Sequence, residues 1–277
     1  MAFKYAFAIV SSLPNSFTQF IKNPSFNIQK AREEHLNFVE ILREIGVDVL
    51  ELEPEERHPE CVKVDDTAVI LNGTALMCSP YGVHRQGEVN LIRQTLKKEL
   101  GLKIVEINME NANLAGSDVL FTGKEIIVGL SAHTNENGAQ AVARAFPEYP
   151  TTTVRVQQPF RNLKEAITMA GVNVFAIGQS ESARKMLTEI MSVVTYNYKQ
   201  ISLPEDFAAQ TFYINHILIH LCDEMIPNSF GVFENKIDFN RLPIDLSELY
   251  KAGITLPKMA LLVGKFKNQK NIVSTLA

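Results

Sequence analysis

The stretch CVKVDDTAVI (61–70) sets two carboxylates, Asp65 and Asp66, side by side in an apolar setting. Read as an alternating strand, Val62, Val64, Ala68 and Ile70 share one face, and Asp66 falls on it. An unpaired carboxylate there costs on the order of several kcal/mol, so the segment calls for a cation. Two readings fit: the acids meet a cationic ligand, or the fold buries them against an internal base. Arg85, in YGVHRQGE, is a ligand-site residue or a solvated surface arginine. His216 and His220, four apart in INHILIHL, would share one face of a strand, but no third metal ligand is evident, so polar packing is the plainer role. Cys61 and Cys222 could act as nucleophiles, although a thiol in an apolar strand is usually inert.

The elements that must position these groups alternate between periods of two and 3.6. YAFAIV reads as a buried strand. A helix follows with Ile28, Ala31, Phe38, Leu42 and Ile45 on one stripe, stopped by Gly46 as a left-handed cap. VDVLELE is a strand and EPEERHPE a solvated loop. CVKVD, TAVIL and TALMC read as three short strands, with the turn pair Asn72-Gly73 before the last. A second helix carries Val89, Ile92, Leu96 and Leu100 and ends at Gly101. KIVEI, DVLF and EIIVGL are strands, and Asn137 to Phe146 is a helix. TTTVRV and NVFAIG follow as strands, then the helix SESARKMLTEIMSVV with Ser180 as its N-cap. INHILIHL, RLPID and MALLVGKF supply the last strands. Strand pairs followed by a helix and another strand recur at spacings of roughly 45 to 60 residues. The pattern predicts an α/β or α+β protein in repeated modules.

With 277 residues, 46% apolar, the chain is large enough for one big domain or two small ones. A net charge of −4 gives no support to nucleic acid or an anionic membrane as partner. The three cysteines are an odd count without a spacing pattern and read as reduced thiols. MAFKYAFAIV is too short in its apolar run for a signal peptide, and no stretch approaches the roughly 20 apolar residues of a membrane span. A cytoplasmic protein is expected.

ENANLAGSDVLFTGKEIIVGLSAHTNENGA (110–139) is more specific than its composition, and it resembles the dimethylarginine dimethylaminohydrolase family. The resemblance continues through CVKVDDTAVI, NLKEAITMAGVNVFAIGQSESA (162–183) and SELYKAG (247–253), covering nearly the whole chain. It implies the pentein fold: one unit over 1–277, with five ββαβ modules closed as an α/β propeller around a central channel. It also implies hydrolysis of methylated arginine to citrulline and a methylamine, with no cofactor or metal. In that chemistry a thiolate attacks the guanidinium carbon, a histidine moves protons, a carboxylate orients it, and further acids hold the cation.

Carried over residue by residue, Asp65 and Asp66 match the family's acid pair, Glu60 a third guanidinium-binding acid, and Arg85 a basic residue lining the site. His133 stands where an arginine for the substrate carboxylate is expected, and Gly253 where another acid contacts substrate. The catalytic positions depart from the pattern. Asn162 replaces the histidine, Ala115 the orienting carboxylate (with Ser117 for a glycine beside it), and Lys258 or Pro257 the nucleophilic cysteine. An amide shuttles no protons at neutral pH, and losing one member of such a unit already costs orders of magnitude in rate. The expectation is a non-catalytic binding, regulatory or structural protein with a small-molecule ligand in the channel. The alternatives are an enzyme with rebuilt chemistry in the same pocket and a residual methylarginine hydrolase. Lys258 is expected to act as an internal counter-ion, within salt-bridge reach of Asp65 or Asp66.

Overall fold

A computed structural model of the chain describes residues 4–21, 23–79 and 85–265. Its strands form five three-stranded sheets of one design. The second sheet shows the pattern: β3 (Ala68–Leu71) turns through Asn72-Gly73 into antiparallel β4 (Thr74–Met77), and α2 (Gln86–Lys98) crosses over to β5 (Lys103–Val105), parallel to β4. Both turn residues have positive φ, as the tight hairpin requires. The crossover is helical because a parallel partner cannot be reached by a tight turn.

The third module repeats this with β6 (Val119–Phe121), β7 (Ile126–Leu130), α3 (Glu136–Ala145) and β8 (Thr151–Arg155). The fourth is entered through the short helix α4 (Leu163–Ala166). It contains β9 (Ile167–Gly171), β10 (Val174–Gly178), α5 (Glu181–Val193) and β11 (Lys199–Leu203). In the fifth, β12 (Phe212–Ile214), β13 (Ile217–Leu221), α6 (Phe230–Lys236) and β14 (Arg241–Ile244) follow the same order. The first module is assembled from both ends of the sequence. β1 (Tyr5–Ser11), α1 (Ile28–Glu44) and β2 (Asp48–Leu52) are completed by β15 (Leu261–Gly264), antiparallel to β1. That pairing closes the ring. The inner strands β3, β6, β9, β12 and β15 together line one cavity, so the five blades surround a central channel.

Helix caps keep the modules in place. Asn27 caps α1 by accepting from the backbone N–H of Gln29 and Lys30 at 2.9 and 3.1 Å. Glu34, buried on α1, accepts from the backbone N–H of Glu248 and Leu249 at the start of α7 (Ser247–Lys251). Ser180 caps α5 as its sequence predicts, accepting from the Ala183 N–H at 3.2 Å.

Two elements depart from the sequence reading. CVKVD is not a strand: a turn leads into a 3-10 helix over Val64–Thr67, and pairing begins only at Ala68. Nor is INHILIHL one strand. Asn215 and His216 have positive φ and form the β12–β13 turn, which removes the shared strand face expected for His216 and His220. His220 is buried, stacked on Phe233 at a 4.8 Å centroid separation, and its Nδ1 bonds the Leu221 carbonyl at 2.8 Å. Among the described residues no group of three or more His, Cys, Asp or Glu is placed to hold a metal, and no helix is long and apolar enough to cross a membrane. EPEERHPE is also more than a solvated loop, because Glu56 accepts from the Asn15 and Ser16 N–H at 2.8 and 2.7 Å.

Candidate functional site

The 3-10 turn at Val64–Thr67 sends the two adjacent acids to different partners. Asp65 takes the Lys164 ammonium between its two oxygens at 2.7 and 2.8 Å, and Asp66 takes Nη1 of Arg85 at 2.7 Å. A strand would have placed them on opposite faces of a sheet; the tight turn keeps both buried. Close approach to the turn at Gly116–Asp118 is what glycine permits at Gly116, where a Cβ would lie 1.8 Å from the Asp65 carbonyl oxygen.

Arg85 sits at the N-terminal boundary of α2 and is buried, which settles its role against a solvated surface arginine. Its Nε and Nη2 donate to Glu88 Oε2 at 3.0 and 2.8 Å, one turn along the helix, and Nη2 also reaches the Lys63 carbonyl at 3.1 Å. One planar guanidinium thus serves two buried carboxylates. Glu60 pairs with Lys63.

Lys258 lies at the end of a 3-10 turn over Leu256–Lys258 and is only 7% exposed. Its ammonium stands 3.6 Å from Glu165 Oε1, and this corrects the expected salt bridge to Asp65 or Asp66. Those acids already hold Lys164 and Arg85, so the lysine settles on the remaining acid of α4. Its charge still acts on Asp66. Burial pushes that carboxyl up, but the Lys258 ammonium and the Arg85 guanidinium outweigh it and hold Asp66 well below the usual carboxylate range. Burial dominates at Asp65, pushing it up to about 6 against the pull of Lys164. Burial also raises Glu165, yet Lys258 and the Arg161 N–H and guanidinium together bring it below its ordinary value. Arg161 grips Glu165 through its backbone N–H and Nε, both at 2.9 Å.

The positions departing from the family pattern have structural occupations. Asn162 is buried and caps α4, its Oδ1 accepting from the Glu165 N–H at 3.1 Å. Ala115 is buried and its N–H donates to Thr134 Oγ1 at 3.0 Å. His133 is half-buried beside the cluster; burial lowers its imidazole pKa, with Asp66 opposing. Gly253 has positive φ, and a side chain there would meet the Arg161 guanidinium, with a Cβ 3.2 Å from Nη1. Pro257, the other match to the missing cysteine, lines the channel cavity. None of the three thiols is activated. Burial raises Cys61, raises Cys78 well above an ordinary thiol with Asp65 and Asp66 adding to it, and pushes Cys222 up to about 11.

Four members of the site escaped the sequence reading. Lys164 and Glu165 lie next to Asn162 in NLKEA, and Glu88 stands at helical spacing from Arg85, so a search for partners within one turn would have found them. Asp118, fully buried, carried no such signal. It accepts from Ser131 and Thr134 hydroxyls at 2.7 Å each and from the Leu163 N–H at 2.9 Å, tying the Gly116–Asp118 turn to α4. Burial raises it to about 6 despite these bonds.

A five-bladed ring of ββαβ modules with an acid-lined site at its centre defines a pentein. The model of the eukaryotic N,N dimethylarginine dimethylhydrolase family matches residues 6–183. The chain belongs to the dimethylarginine dimethylaminohydrolase family. It is 37% identical over 248 residues to human DDAH2, covering 87% of this chain and 86% of that one. Against the N(G),N(G)-dimethylarginine dimethylaminohydrolase of Pseudomonas aeruginosa the identity is 25% over 192 residues, 69% and 72% of the two chains. The fold matches that of a Pseudomonas aeruginosa family structure, a cysteine-to-serine mutant complexed with citrulline, at a TM-score of 0.80. The identity is 20%, with 94% of this chain and 100% of that one covered. It also matches the N-terminal domain of ArgZ, a cyanobacterial arginine dihydrolase, at a TM-score of 0.75 and 17% identity, over 92% and 97% of the chains.

Proposed function

We propose that this chain is a non-catalytic pentein that has lost methylarginine hydrolysis and works by binding, with residues 1–277 as one unit in the cytoplasm. One observation carries the reading: each acid that matches the family's guanidinium cradle already holds a cation of the protein's own. Glu60 holds Lys63, Asp65 holds Lys164 and Asp66 holds Arg85, while Lys258 adds its charge from the position matched to the thiol. A free guanidinium would have to compete with these cations for the same carboxylates, which leaves less binding energy for a reaction.

The missing chemistry supports the same conclusion. Nucleophilic attack needs a thiolate, and burial keeps all three thiols protonated at neutral pH. Asn162 caps a helix where a proton shuttle would stand. An ammonium engaged in an ion pair, as Lys258 is, has no lone pair with which to attack.

The test is direct. Purified protein incubated with asymmetric dimethylarginine or monomethylarginine should yield no citrulline above a heat-denatured control. Turnover that survives dialysis and scales with protein concentration overturns the proposal in favour of a residual hydrolase.

A further inference from the structure

The Asp65–Lys164 pair divides the channel. Both residues line a cavity of about 130 Å³ whose walls come from all five inner strands, whereas Asp66, Arg85, Glu165 and Lys258 line none of it. A second section of about 120 Å³ continues outward to the hairpin turns at 122–124, 171–173 and 215–216. Tyr5, Phe121, Met169 and Tyr213 line both sections, which makes them one passage opening at the end of the propeller away from Lys258.

The chemistry of this passage differs from that of the ion-pair cluster. Its shared wall is three aromatic rings and a thioether, groups that favour an aromatic guest through edge, face and sulfur contacts. An apolar cavity of about 150 Å³ is known to accept benzene, so each section matches a single ring. The inner end is an ion pair of net zero charge. A neutral head group can donate to the Asp65 carboxylate or accept from the Lys164 ammonium there. A charged head would bring an uncompensated charge to a buried site.

The mouth is built to hold its shape. Asn215 accepts from the Tyr5 N–H and donates to the Tyr5 carbonyl, both at 2.9 Å, and the Tyr213 hydroxyl bonds His216 Nδ1 at 3.1 Å. The Asn215 bonds tie the β12–β13 turn to β1 and the Tyr213–His216 bond braces the turn itself, so the opening is preformed, as small-molecule sites usually are. At the rim the exposed Val172 stands among polar groups, with Lys124 and His216 also exposed there, so the entrance is mixed in character and the apolar wall begins deeper, at Phe121 and Met169.

We propose that this passage is a binding site for a small, neutral molecule with one aromatic ring and one hydrogen-bonding head, separate from the site inherited from the family. Phenol is the minimal probe. In protein carrying ¹³C-methyl methionine, phenol should shift the Met169 methyl signal saturably through its ring current, while Met186 and Met259, buried elsewhere, stay in place. Benzylamine and benzoate, of similar size but charged, should bind at least about tenfold more weakly. Met169→Trp, which fills the passage, should abolish saturation transfer to phenol in a protein that still unfolds cooperatively. A Met169 signal that never moves, a shift shared by all the methionines, or benzylamine binding as well as phenol would each overturn the proposal. Because the wild-type titration alone decides the first two outcomes, poor folding of the variant leaves the test intact.

Discussion

Arg85 and Lys258 both bring buried positive charge to the acids, but they are not equivalent. Arg85 makes short, directed bonds to Asp66 and Glu88, both buried, so removing it strands two carboxylates. Lys258 sits 3.6 Å from a glutamate that keeps Arg161 in any case. Breaking a buried pair by deleting one partner typically costs about 3 to 5 kcal/mol, and Arg85→Met should fall in that range. Lys258→Met should cost less, about 2 kcal/mol, because its partners retain other cations. Urea unfolding at neutral pH measures both. The reverse order would mean that Lys258, not Arg85, is the principal counter-ion of Asp66, as the sequence alone suggested.

At the scale of elements, the site is a junction of three short turns: Val64–Thr67, Gly116–Asp118 and the start of α4. Gly116→Ala should lower stability by about 3 kcal/mol or more, since its methyl cannot coexist with the Asp65 carbonyl 1.8 Å away. A drop under 1 kcal/mol (about the size of an ordinary surface change) would show that the turns can separate freely. The same junction explains why single reversions toward the family pattern should not restore hydrolysis. Asn162→His removes the N-cap of α4, worth about 1 kcal/mol, and supplies a base with no nucleophile. Lys258→Cys supplies a nucleophile with no base. Neither should form citrulline from methylarginine; only the combination with Ala115→Asp or Ala115→Glu is a fair rescue. Activity from either change alone would reassign the partner positions.

Across the whole molecule, buried titratable groups pull the pH dependence in opposite directions. Burial holds the His35 imidazole down at about 4, whereas an unfolded histidine titrates near about 6.5. The unfolded chain binds the extra proton between those values, so His35 contributes stability above about 6.5 that is lost as pH falls toward 4. The size is about 3 kcal/mol. Asp65 and Asp118, both raised to about 6 from 3.8, act the other way: the folded state holds their protons longer, and stability declines as pH rises from about 4 to 6. Asp66, held low, contributes stability that is lost only in stronger acid. Two aspartates, each worth about 3 kcal/mol, outweigh one histidine, so the wild-type unfolding free energy should fall by about 3 kcal/mol as pH rises from about 4 to 6.5. His35→Leu should roughly double that fall, and a variant curve that is flat or rises over the window would mean that the aspartates titrate near their ordinary values.

The sequence by itself carried the repeated strand–strand–helix–strand order, the hairpin at Asn72-Gly73, the helix stops at Gly46 and Gly101 and the Ser180 cap. These depend on local rules of backbone geometry and periodicity that operate over a few residues. It also carried the demand for a cation beside Asp65 and Asp66, because a buried carboxylate needs one wherever the chain goes. Which cation answers was a tertiary decision. Lys164 lies 99 positions from Asp65 and Lys258 lies 93 from Glu165, and only the closing of β15 onto β1 brings the last of these into the channel. CVKVD and INHILIHL were misread for the same reason. Alternation of apolar residues does not mark where a strand stops, and in a ring of short blades it runs on into the joining turns: Asp65 and Asp66 lie buried in a 3-10 turn, while Asn215 and the exposed His216 make a hairpin turn inside an apparently continuous strand.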